Sequence, residues 1–113
     1  MPPVIDPATF ANLKQMVGAD FIGELVSTFL EDGPHMLGEL RVALGVNDTE
    51  TFRRAAHSMK TNAATFGATE LAELAKALEM LGRSNNLREV GTLLEVLEEA
   101  YAQAAEGLKG LLA

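Results

Sequence analysis

The residue best equipped for chemistry in this sequence is His57, and the types and spacing of its neighbours narrow what that chemistry could be. It lies in the run Arg53-Arg54-Ala55-Ala56-His57-Ser58-Met59-Lys60-Thr61-Asn62-Ala63-Ala64-Thr65-Phe66-Gly67-Ala68. An α-helix turning about 100° per residue brings Arg53, Lys60, Thr61 and Ala64 within about 60° of the histidine, with Arg54 at the edge of that arc. Phe52, Ala55, Ala56, Met59, Ala63 and Phe66 fall on the opposite side. The apolar stripe that must meet a core therefore leaves His57 facing solvent. Residues 51–60 hold Arg53, Arg54 and Lys60 and no acidic residue, in a chain of formal charge −7. Such a local positive patch is suited to handling an anion at one place.

By default a lone histidine on a helix face is a solvated polar group. A metal site would need more ligands than the sequence offers: His35 lies beyond Pro34, no HExxH pair exists, and Glu50 is the best local oxygen donor. A hydrolase would need a partner carboxylate or nucleophile and a pocket, for which a chain rich in leucine and alanine gives no sign. The remaining chemistry is nucleophilic. Neutral imidazole attacks well near pH 7, and a rigid, exposed helix lets another protein's active site close over it in line. A phosphoryl group on the ring would bring nearly two negative charges, which Lys60, one turn along the same face, could hold, with Arg53 and Arg54 nearby.

The elements that position this helix can be read from composition and punctuation. Hydrophobic residues make up 48% of the 113 residues and aromatics only 5%, a mixture that favours helices over strands. One domain spanning 1–113 is expected from the length. The acidity argues against nucleic acid as a partner. The absence of cysteine removes disulfides, thiol nucleophiles and zinc-thiolate sites. With neither a signal-like start nor an apolar run of membrane-spanning length, the expectation is a soluble protein of the cytoplasm with no membrane association.

Along the chain, Asp6-Pro7 opens a short helix that Gly18 closes. From Asp20, the apolar phase of Phe21, Ile22, Leu25, Val26, Phe29 and Leu30 continues through Leu37, Leu40 and Leu44, so one helix bent at Gly33-Pro34 is expected rather than two. Asp48 caps the His57 helix, which runs to about Thr65. The next begins at Ala68-Thr69, carries Leu71, Leu74, Leu78 and Leu81, and is expected to stop at Gly82 and Ser84-Asn85-Asn86. A last helix from about Asn86 carries Leu87, Val90, Leu94, Leu97, Tyr101, Ala104, Leu108 and Leu111. Short connections fold these lengths back on one another. The fold class is thus all-α: an antiparallel up-down-up-down four-helix bundle with a short extra N-terminal helix.

At this point the residues resemble a known family, the histidine-containing phosphotransfer (HPt) domains of two-component phosphorelays. The family's pattern is a histidine, a hydrophobic residue two on, a lysine three on, usually a glycine four on, and a Gly-Ala-like pair ten and eleven on. Here these positions hold His57, Met59, Lys60, Thr61 and Gly67-Ala68. Leu71, Leu74, Leu78-Glu79 and Gly82-Arg83 are similar to the family's next helix, and Phe29-Leu30-Glu31-Asp32 before Pro34 to its preceding one. The resemblance implies a phosphocarrier without catalytic apparatus or ATP-dependent kinase activity of its own. His57 would take a phosphoryl group from a receiver-domain aspartate and pass it to another receiver, with Lys60 steadying the phosphate. The partners implied are receiver domains of response regulators or a hybrid histidine kinase. No cofactor belongs to the chain; magnesium is expected on the receiver. Arg53, Arg54, Thr61 and Ala64 would form the docking face. A monomer is expected, with a dimer left open.

Thr61 departs from the pattern. A β-branched residue where the family usually has glycine crowds the approach to His57. It keeps open a different reading, a helical-bundle adaptor that docks receivers or a kinase without carrying phosphate.

Overall fold

The structure is a computed structural model and describes residues 3–113. Its elements are α1 (Pro7–Val17), α2 (Ala19–Val46), α3 (Thr49–Phe66), α4 (Thr69–Arg83), a 3-10 turn over Leu87–Glu89 and α5 (Leu93–Leu112). No strand occurs among the described residues. Helices α2 to α5 form the bundle, and α1 packs against α2 and α3.

Each start follows from local chemistry. Asp6 caps α1 by accepting from the Thr9 N–H at 3.2 Å, with Pro7 in the first turn where no backbone donor is needed. Asp48 caps α3 in the same way through the Thr51 N–H at 3.1 Å. Gly67 ends α3 at φ +84, and a Cβ there would meet Thr9 Cβ at 3.0 Å and the Asp6 carbonyl at 3.1 Å. Its own carbonyl accepts the Asp6 N–H at 2.8 Å, which fastens the start of α1 to the end of the His57 helix.

Helix α2 runs unbroken through Pro34. Proline has no N–H for the carbonyl of Leu30, four residues back. The hydroxyl of Tyr101, on α5, donates to that carbonyl at 3.4 Å and to the Phe29 carbonyl at 3.3 Å. Gly33 makes the approach possible, because a Cβ at that position would overlap the tyrosine ring. Phe29 stacks on Phe66 with centroids 5.2 Å apart and meets Tyr101 edge-on at 5.5 Å. One aromatic cluster thus joins α2, α3 and α5. On the outside, Arg41 reaches from α2 to Glu95 and Glu98 of α5.

Three sequence expectations need correction. Gly82 does not stop α4. It is buried inside it, with its Cα against Arg53, where an added Cβ would lie 3.1 Å from Arg53 Cα and 3.2 Å from its backbone nitrogen. It is the residue that lets α3 and α4 approach closely. The last α-helix begins at Leu93 rather than near Asn86, since Gly91 at φ +53 breaks the path after the 3-10 turn. Leu87 and Val90 still bury their side chains in the core. Phe21, expected on the buried face, is 47% exposed at the start of α2.

Candidate functional site

His57 lies mid-way along α3 with about half of its side chain exposed, as the helical periodicity required. Across the α3–α4 contact lies Glu79, whose side chain is 3% exposed. Its Oε2 is 2.8 Å from His57 Nδ1, and its Oε1 accepts from Lys60 Nζ at 2.7 Å. Arg83, one turn further along α4, donates to Oε2 at 3.2 Å. One buried carboxylate is therefore shared by the histidine and two cations.

Burial by itself would raise the Glu79 pKa. The hydrogen bonds from Lys60 and then His57, together with their charges, outweigh it and hold the carboxyl well below its ordinary 4.5, at about 2. Glu79 is thus ionised and can only accept, so the neutral imidazole facing it must carry its proton on Nδ1. The lone pair then belongs to Nε2, on the opposite side of the ring from Glu79. The arrangement supplies a tautomer-fixed nucleophile, and a negative charge placed to stabilise the positive ring formed when Nε2 acquires a substituent.

The other predicted site residues are less closely gathered. Lys60 is on the His57 face, but its resting partner is Glu79. Arg53 and Arg54 both turn toward Glu50, at 2.6 Å and 3.7 Å, so the cationic stripe is partly neutralised by the acidic residue immediately before the 51–60 stretch. Thr61 is exposed and donates its hydroxyl back to the His57 carbonyl at 3.1 Å, which ties its side chain over the turn below the histidine. Ala64 is exposed on the same side. Asn62 donates to the Ser58 carbonyl of its own helix at 2.9 Å. Among the described residues no group of three or more His, Asp or Glu could hold a metal ion.

Glu79 and Arg83 show no role in the sequence beyond their resemblance to the family's helix. The signal for Glu79 was present: it sits one turn from Ala75 and three residues from Gly82, inside the arc that α4 turns to the core. A carboxylate on a core-facing arc requires a cationic or hydrogen-bonding partner. Which partner it meets depends on the pairing of two helices and was not readable from α4 alone.

Residues 24–107 match the Hpt domain. The chain belongs to the Hpt domain family. Among Hpt relatives, the phosphorelay protein LuxU of Vibrio harveyi is 28% identical over 105 residues, spanning 87% of this chain and 92% of LuxU. The crystal structure of histidine-containing phosphotransfer protein B (HptB) from Pseudomonas aeruginosa is similar with a TM-score of 0.91 at 30% identity, over 99% of this chain and 96% of HptB. The all-α bundle with its additional N-terminal helix is the HptB fold.

Proposed function

We propose that this Hpt domain carries phosphoryl groups in a phosphorelay on Nε2 of His57. The observation that supports the choice of atom is the 2.8 Å contact between Nδ1 and the buried, ionised Glu79. In the transfer step Nε2 attacks the phosphorus of a receiver's aspartyl phosphate in line. The N–P bond forms as the P–O bond to aspartate breaks, the aspartate leaves as carboxylate, and the Nδ1 proton stays between the ring and Glu79. The phosphorylated ring is then cationic and remains a good leaving group, so the reverse step can pass the phosphoryl group to another receiver.

Apart from His57, the chain's own residues do no more than position and balance charge. Glu79 orients the ring, Lys60 and Arg83 hold Glu79, and Lys60 is near enough in the helix to share its charge with the phosphoryl oxygens. Magnesium and the aspartate come with the receiver, and ATP-dependent phosphorylation is the work of a kinase elsewhere. The protein works as a monomer in the cytoplasm, meeting receivers through the face around His57, Thr61 and Ala64.

The test is transfer from phosphorylated receiver domains to the wild type and to His57→Gln. Label that appears on the wild type alone and is acid-labile but base-stable is the expected result. Receivers that bind both proteins equally while labelling neither would replace the carrier with an adaptor.

A further inference from the structure

A second surface of the bundle has the form of a binding groove and lies away from His57. A cavity of about 460 Å³ opens where the N-terminal segment, the start of α4 and α5 meet, and its floor is formed by Leu71, Ala100 and Ala104. A smaller hollow of about 290 Å³ continues it along α5 past Val96 toward Thr92, sharing Glu70, Ala100 and Gln103 with the first. Val4 and Val96, at its two ends, are 44% and 45% exposed. From Thr92 to Ala104 the groove follows α5 for about 18 Å, the length of three helical turns.

Its charge is one-sided. Asp6, Glu70, Glu95 and Glu99 line the two hollows, and among the described lining residues there is no lysine or arginine; Glu95 is held by Arg41 and Asp6 caps α1, so Glu70 and Glu99 supply the charge that faces the groove. Helix α4 sorts its charges accordingly. Glu70 and Glu79 are nine residues apart and so point about 180° apart, while Lys76 and Arg83 fall within about 60° of Glu79. The cations go with the His57 side, and Glu70 with the groove.

From the apolar floor, the acidic rim and the length, we propose that this α4–α5 groove docks a basic amphipathic helix of a partner protein while His57 stays open to a receiver. The occupant is a helix rather than an extended segment because, beyond the short N-terminal segment at one end, the groove runs between α4 and α5, whose backbone groups are satisfied internally. They offer no edge for a strand, and an extended chain would lay unpaired backbone groups on alanine and leucine. Small residues at 100 and 104 let a second helix come close, and lysines or arginines flanking its apolar face would meet Glu70 and Glu99. Two partners could then be held at once, which raises the effective concentration of one near the other.

The probe is a 15-residue synthetic helix of lysine, leucine and alanine in amphipathic order, titrated into the 15N-labelled full chain beside a scrambled peptide of the same composition. Expected are chemical-shift changes confined to the groove around Glu70, Val96, Ala100 and Gln103, an unmoved His57 amide, and at least tenfold weaker binding of the scrambled peptide. Glu70→Lys with Glu99→Lys should weaken binding at least tenfold. Glu24→Lys with Glu31→Lys, which changes net charge equally on α2, should leave it intact. Equal losses in the two variants, shifts spread over the whole acidic surface, or shifts centred on α3 would overturn the proposal. So would groove shifts that follow protein concentration without peptide, which would make the occupant a second copy of the chain.

Discussion

Nδ1 of His57 and Oε2 of Glu79 lie 2.8 Å apart, although 22 positions separate the residues in the chain. The contact joins the middle of α3 to the last turns of α4 and converts a solvent-exposed imidazole into one with a chosen tautomer. It is possible because Gly82, three residues beyond Glu79, lets the α4 backbone rest on Arg53.

Removing the charge of Glu79 should slow transfer without abolishing it. A charge-assisted hydrogen bond is worth about 1.5–3 kcal/mol, which corresponds to roughly ten- to hundredfold in rate. Glu79→Gln is expected to lose about that much in single-turnover transfer from a receiver, with binding of the receiver little changed. A wild-type rate in this variant would detach Glu79 from the chemistry.

Acid stability should report the same carboxylate. Glu79 is held at about 2 in the folded protein against 4.5 when unperturbed. The unfolded chain therefore binds the extra proton first on acidification. The stabilisation from its ionised form is complete above about pH 4.5 to 5 and is lost as pH falls toward 2. Thermal melts of Glu79→Gln across that interval should show a shallower decline than the wild type, and parallel curves would contradict the depressed value.

Thr61→Gly should speed transfer, because the threonine side chain leans over the turn that carries His57. The cost to stability should stay below about 1 kcal/mol, as expected when one helical residue is replaced by glycine. Stopped-flow transfer with one receiver compares the two proteins; unchanged or lower rates would clear the threonine of obstruction.

Gly82→Ala should act at a distance from the histidine. The added methyl meets Arg53 backbone atoms at 3.1–3.2 Å, and backbone cannot swing aside. Helix α4 must shift by some tenths of an ångström, which stretches the His57–Glu79 contact. A retained helical spectrum with several-fold slower transfer is expected. If melting temperature and rate are both unchanged, the close approach does not matter.

Around Pro34 the consequences are for stability alone. Tyr101→Phe leaves the Leu30 and Phe29 carbonyls without the phenol donor and should cost about 1 kcal/mol. Gly33→Ala should cost more, roughly 1–3 kcal/mol, because the methyl overlaps the tyrosine ring. Urea melts of both variants rank them, and the opposite order would mean that the ring moves aside freely.

Much of this protein is legible one helix at a time. Asp6, Asp48 and Gly67 mark helix ends because caps act on neighbouring backbone groups. The exposure of His57 follows from a 3.6-residue period and needs no partner. The same local chemistry explains why the continuous phase of α2 was readable across Pro34, while the donor that satisfies Leu30 was not, since Tyr101 lies 71 positions away.

The sequence by itself determined the helices, most of their buried faces, and that His57 stands on an exposed one. Only the tertiary structure decided which nitrogen of that residue is free. That choice rests on a carboxylate from another helix, whose pKa is depressed, against the effect of its burial, because the α3–α4 packing sets it beside Lys60 and His57 together. Local periodicity fixes direction around one helix axis, whereas the pairing of His57, Lys60, Glu79 and Arg83 depends on the offset and closeness of two helices, which glycine packing at position 82 sets.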